Sequence, residues 1–156
     1  MPPDTLPAMR SYFDAGVTSV AFNLEVFERS AFKEMCPGKE KHYGYEPMLA
    51  ALEYAVDVFG AYNVFSGFVW GLEGKDTVEK GYRWCLERGI GVSSNVFHAD
   101  QGSVFAKRPH PTSEFVHELC VLQSEFYLEF PGARPIFPVS MRSTLDWEIH
   151  RGDFRR

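Results

Sequence analysis

Asn23 and Glu25 stand where an apolar run ends, in VTSVAFNLE (17–25). Val17, Val20, Ala21 and Phe22 have the composition of a buried strand, and a helix-like segment follows. In sheets of parallel strands, ligands bind at the C-terminal strand ends. Residues two apart on a strand share a side, so this amide and carboxylate can meet one polar ligand. The plainer alternative is that both simply cap the next helix.

Two further strand ends offer chemistry. NVFSGFVW (63–70) leads to Gly71 and Glu73, and GVSSNVF (91–97) leads to His98, Asp100, Gln101 and Gly102. Gly67 weakens a strand interior and gains no packing, so close approach of a ligand to the backbone is one reason for it. Gly71 would let a flat ring or sugar come equally near. For Gly71 and Gly74, ordinary turn geometry is the competing explanation.

The remaining reactive residues form no set. Cys36, Cys85 and Cys120 are odd in number and far apart, which fits neither a disulfide framework nor a metal cluster. Cys85, beside Trp84 and Leu86, and Cys120, on a long helical stripe, have core positions. The histidines at 42, 98, 110, 117 and 150 lack ligand spacing, and only His98 falls at the rim. Lys107 and Arg108 could meet a carboxylate or phosphate, or lie in a solvated loop. Met141, Arg142 and Ser143 are weaker candidates, with Arg142 and His98 taken as the substrate side. Tyr43 and Tyr45 either cover the pocket or pack on it.

The elements that would position these residues alternate. An amphipathic helix over 6–15 ends at Gly16 and precedes the first strand. VFERSAFKEM (26–35) has helical spacing, broken by Cys36-Pro37-Gly38 and a polar connector, KEKHYGY. A helix over 47–59 starts with Pro47 and stops at Gly60. Asp76 to Glu79 resembles a capping box opening a helix that lasts to Arg88. Another helix runs over 112–130 with Thr112 or Ser113 as cap, and a short strand near 136–139 and a brief helix close the chain. Strands apolar on both faces, alternating with helices, describe an α/β fold with a parallel sheet and all strand ends on one rim.

The totals narrow the function. The 156 residues suit one domain with a real core, 45% of them hydrophobic and 15% aromatic. A net charge of −5 argues against a nucleic-acid binder, which needs a basic face. No apolar run has the roughly 20 residues of a membrane span, and MPPDTLPAMR has no signal-peptide core. A cytoplasmic protein with reduced thiols is the expectation, with no membrane or nucleic-acid partner.

From Arg10 to Arg108 the chain resembles the C-terminal half of a radical S-adenosylmethionine (radical SAM) barrel, of the biotin synthase and lipoyl synthase type. In that group a strand ends in Asn-Leu-Asp or Asn-Leu-Glu, matched by Asn23-Leu24-Glu25. The next reads roughly Ser-Gly-x-x-x-Gly-x-x-Glu, matched by Ser66-Gly67 and Gly71, with Glu73 one position early. Gly102-Ser103-Val104-Phe105 resembles the turn after the following strand. The resemblance implies a partial (β/α) TIM-type barrel in which Asn23, Glu25, Ser66, Gly67, Gly71 and Glu73 bind S-adenosylmethionine.

One departure is large. The family's Cys-x-x-x-Cys-x-x-Cys, holding a [4Fe–4S] cluster, does not occur here, and the chain opens directly before what resembles the fourth strand. The resemblance therefore implies a cluster supplied by a missing N-terminal half or a partner chain, for 5′-deoxyadenosyl radical chemistry on a small-molecule substrate. A half barrel also leaves a strand edge unpaired and an apolar face uncovered, so an N-terminal-half protein or a second copy of the chain is an expected partner. The alternatives are a non-catalytic nucleoside-binding or protein-interaction module, and a truncated reading frame with no role of its own.

Overall fold

A computed structural model describes residues 2, 6–136 and 144–155. Three parallel strands, β1 (Val20–Ala21), β2 (Val64–Trp70) and β3 (Ile90–Val96), lie in the order β1-β2-β3. Helix α1 (Ala8–Asp14) precedes them. Between β1 and β2 come α2 (Arg29–Met35), α3 (Pro37–His42) and α4 (Tyr45–Phe59), and α5 (Lys75–Glu87) joins β2 to β3. Helices α6 (Ser113–Glu129) and α7 (Thr144–Arg151) follow. The result is a mixed α/β fold with a small parallel sheet, and the three strands do not close a barrel.

Alternation along the strands divides the sheet into two unlike faces. Val64, Phe68 and Trp70 of β2 join Ile90 and Val92 of β3 in the main core with Met48 and Leu52 of α4, Tyr82 of α5 and Phe126 of α6. The opposite face carries Gly67 and Val69 on β2 and their register partners Ser93 and Asn95 on β3. There Phe65 is buried against Gly91, whereas Asn95 is exposed. The face expected to be apolar and uncovered in a half barrel thus mixes Phe65 and Val69 with glycines, Ser93 and Asn95, and Phe65 on it is buried.

Several boundaries differ from expectation for identifiable reasons. The first strand is only two residues long, with Val17 and Ala21 exposed rather than buried. Cys36-Pro37-Gly38 does not lead into a connector. Pro37 occupies the first turn of α3, where its missing N–H and fixed φ are suited to a helix start. Pro47 lies inside the first turn of α4, which begins at Tyr45 after Gly44. Helix α5 starts after Gly74 without a side-chain cap, so Asp76 forms no capping box. Thr112 caps α6 as expected, its hydroxyl accepting from Phe115 N at 3.2 Å. The strand expected near 136–139 falls largely on residues outside the described set. Among the described residues, no helix is long and apolar enough to cross a membrane.

A polar seam is built into the covered side. Tyr82 Oη, buried, accepts from Trp70 Nε1 at 2.9 Å and pairs with Ser94 Oγ, which donates to Gln123 Oε1 at 2.7 Å. Asp146 of α7 accepts from Ser94 N at 3.2 Å and from Gln123 Nε2 at 3.0 Å. Five elements, β2, β3, α5, α6 and α7, are thereby pinned with their buried polar atoms satisfied. Burial pushes the Asp146 carboxyl up from 3.8 to about 6, against the hydrogen bonds from Gln123 and Ser94.

The sign of the linkage follows. A folded-state value above the unfolded one means the native protein holds the extra proton, so this stability is full below about pH 4 and is lost as pH rises through 6. The shift amounts to about 3 kcal/mol. Asp146→Asn carries no such proton. Between pH 4 and pH 7, chemical denaturation should show its stability relative to wild type moving in the variant's favour by up to about that 3 kcal/mol.

Candidate functional site

The end of β1 departs from regular pairing. Val20 pairs with Val64, and Phe22 N donates to Phe65 O at 2.9 Å, so unbroken register would set Leu24 against Phe68. Instead Glu25 takes that place, with Glu25 N donating to Gly67 O and Val69 N to Glu25 O, both at 2.8 Å. One extra residue is accommodated, as in a β-bulge. Two side chains make the bonds the ladder loses: Asn23 Oδ1 accepts from Gly67 N and Ser66 Oγ accepts from Leu24 N, each at 3.1 Å. Glu25 itself adopts φ +72°, a left-handed conformation that costs a side-chain-bearing residue about 1–2 kcal/mol.

The bulge changes how Asn23 and Glu25 come together. Simple alternation does not place Glu25, because it pairs with Phe68, whose ring lies on the helix-covered side against Tyr82. The two residues meet through Lys39 on α3. Its ammonium donates to Asn23 O and to Glu25 Oε1, both at 2.7 Å. Neither residue acts as a helix cap, since α2 begins at Arg29 after Glu28. Lys39 is the residue sequence reasoning missed. The available signal was Pro37, which placed a helical first turn, and not a solvated connector, over Lys39.

Gly67 and Gly71 have separate reasons to be glycine. A Cβ at Gly67 would fall 2.8 Å from Asn23 Cγ, so the side chain of Asn23 occupies the space a larger residue would take. Gly71 has φ +101°, and a Cβ there would lie 3.0 Å from the Pro111 ring, which closes over the end of β2. A groove bounded by Gly71, Glu73, Pro109, Pro111 and Phe115 runs past this point.

The other expected site residues fall into two groups. Ser66 and Glu73 position backbone. The Ser66 hydroxyl is fully buried on the helix-covered face and is engaged with Leu24 N. Glu73 Oε2 accepts from Phe27 N at 2.7 Å and Oε1 from Glu28 N at 2.6 Å, clamping the loop after β1 to the loop after β2. Burial raises the Glu73 carboxyl, while these two N–H groups pull it down. His98 stands at the rim, exposed and 3.2 Å from Asp100 Oδ1. Arg142 lies outside the described residues.

Neighbouring candidates also acquire places. Arg108 Nη2 donates to Leu72 O at 3.0 Å, tying two rim loops together. Tyr45 is mostly buried and donates its hydroxyl to Phe27 O, so it packs behind the site, whereas Tyr43 is half-buried against the core. Ser93 and Asn95 share the Gly67 face and were not singled out from sequence. Their signal was the alternation in GVSSNVF, where Val92 and Ser94 turn inward and Ser93 and Asn95 outward.

The cysteines do not fit an iron–sulfur cluster. Cys36 is half-buried ahead of α3, and Cys85 and Cys120 are buried in α5 and α6. Among the described residues no group of three or more His, Cys, Asp or Glu could hold a metal ion. Burial pushes all three thiols up, Cys120 to about 11, which opposes the thiolate a cluster requires.

Glu73 supplies a direct test of the loop clamp. Glu73→Ala leaves Phe27 N and Glu28 N without their carboxylate, and an equilibrium urea titration should show a loss of about 2 kcal/mol. Glu73→Gln, which keeps one acceptor, should lose less.

Among curated proteins, the chain is similar to the bacteriochlorophyllide c C-7(1)-hydroxylase of Chlorobaculum limnaeum, at 28% identity over 130 residues. The match covers 83% of this chain and 32% of that protein, so the chain spans about a third of the relative's length. No family model matches the sequence, and no solved structure matches it. The similarity supports a distant relation to the radical SAM enzymes and nothing particular to biotin synthase or lipoyl synthase.

Proposed function

We propose that this chain is the C-terminal part of a radical SAM enzyme, a partial (β/α) barrel whose bulged strand end holds S-adenosylmethionine. The observation that carries the reading is the bulge itself. Asn23 Oδ1 is committed to Gly67 N, which fixes the amide and turns its Nδ2 group into an oriented donor. Glu25 has one carboxylate oxygen on Lys39 and one with no partner among the described residues, an acceptor for ribose hydroxyls or the methionine amine. Gly67 leaves the space that the Asn23 side chain occupies, which holds the amide against the strand.

Within this reading Ser66 and Glu73 hold the backbone of the site, and His98 and Arg142 belong to the substrate side. With cofactor and [4Fe–4S] cluster bound, the family's chemistry is one-electron cleavage of S-adenosylmethionine to methionine and a 5′-deoxyadenosyl radical, which takes hydrogen from the substrate. This chain's cysteines are not the cluster ligands. A further segment of the polypeptide or a partner chain in a cytoplasmic, reducing setting supplies them. Alone, the chain is a nucleoside-binding module without the electron source.

Calorimetric titration of the 156-residue chain with S-adenosylmethionine, without added iron, tests the reading. Saturable binding is expected, weakened about tenfold by Asn23→Ala, the effect of one lost hydrogen bond at a site of this kind. Gly67→Val, which drives a side chain into Asn23, should abolish it. Absence of binding at millimolar ligand, or equal binding by all three proteins, would overturn the assignment.

A further inference from the structure

Lys39 belongs to none of the motifs that carry the resemblance, yet it touches both ends of the Asn23–Glu25 bulge. Its ammonium is 2.7 Å from Asn23 O and 2.7 Å from Glu25 Oε1, with side-chain exposures of only 20% for Lys39 and 26% for Glu25. β1 is an edge strand of the sheet, and Lys39 is the partner its carbonyl at Asn23 has there. Glu25 holds a left-handed backbone conformation, which persists only where surrounding contacts over-determine it. The contacts that do so are the two main-chain bonds to β2 and the ion pair with Lys39.

The source of this lysine is rigid. α3 starts with Pro37 in its first turn, and Lys39 follows two residues later, half a turn along. The ammonium is therefore delivered from a short helix whose start is fixed by proline, not from a loop. An ammonium shared between a carbonyl and a carboxylate oxygen restricts rotation of the carboxylate.

We propose that Lys39 is a positioning residue for the ligand site. It fixes Glu25 so that the second carboxylate oxygen, Oε2, is held where a ligand's neutral donors reach it. This rests on the nucleoside-binding reading above and adds a preference within it. The Glu25–Lys39 pair has no net charge, so it suits paired hydroxyl groups such as those of a ribose better than an amine cation, whose charge Lys39 repels. The methionine amine must then find its partner elsewhere.

Adenosine and 2′,3′-dideoxyadenosine, titrated calorimetrically into the 156-residue chain, separate this proposal from the reading it rests on. Wild type should prefer adenosine. Lys39→Met should lose about tenfold in adenosine affinity, the effect of one misplaced acceptor, and bind the dideoxy compound unchanged. Lys39→Arg should recover most of the loss, and Lys39→Met combined with Glu25→Gln should be no weaker than Glu25→Gln alone. A purely structural lysine would instead weaken both ligands equally and add to Glu25→Gln, and either result overturns the proposal. Wild-type adenosine affinity in Lys39→Met overturns it while leaving the binding reading intact. No binding of either nucleoside by wild type at millimolar concentration removes the reading and this inference together. Should Lys39→Met not fold, Lys39→Gln, which keeps a donor for Asn23 O but no charge, carries the same comparison.

Discussion

The site depends on one irregularity in hydrogen bonding, the inserted residue between Phe22 and Glu25. A regular parallel ladder would have carried β1 onward past Gly67. With Asn23 Oδ1 on Gly67 N and Ser66 Oγ on Leu24 N, the two donors that the ladder loses both keep an acceptor. Replacement, not mere loss, makes the bulge stable. It also explains why Ser66 and Gly67 occur together: one contributes the hydroxyl on the covered face, the other the absent Cβ on the open face. The same two residues that resemble a cofactor motif are thus also required by strand geometry.

The rim around the bulge is assembled from contacts between loops distant in sequence. Glu73 holds the loop after β1, Arg108 reaches the Leu72 carbonyl, and Pro111 packs over Gly71. Beneath them, the seam of Trp70, Tyr82, Ser94, Gln123 and Asp146 anchors β2 and β3 to α5, α6 and α7. The covered face spends its polar groups on one another, while Ser93 and Asn95 on the open face have no such partners among the described residues. This division leaves Ser93 and Asn95 as the polar groups of the Gly67 face that no neighbour engages among the described residues.

Much of this was legible in the sequence. Apolar runs located β2 and β3 to within a residue, helical spacing located α4 and α6, and the alternation specified parallel pairing. Asn23 and Glu25 could be identified as strand-end polar groups because they interrupt an apolar run. What could not be read was register. Pattern gives the period of a strand but not an inserted residue, so alternation assigned Glu25 to a side that the bulge does not respect. Ser66 and Glu73 looked like ligand groups because a sequence shows which polar residues lie near a strand end, not which backbone donors they satisfy. Lys39 escaped because charged residues after Cys-Pro-Gly resemble a solvated turn, whereas proline can equally begin a helix.

Within the proposed function, the bulge and the cysteines answer to different demands. For the proposed nucleoside site, the fixed groups are the Asn23 amide, held on Gly67 N, and the Glu25 carboxylate, held by Lys39. Electron transfer needs clustered thiolates, and Cys36, Cys85 and Cys120 are dispersed over separate elements with burial favouring the protonated thiol. The two requirements make opposite demands on environment, one polar and open, the other rich in exposed thiolate. On the proposed reading, dividing the two between segments lets each be tuned without disturbing the other.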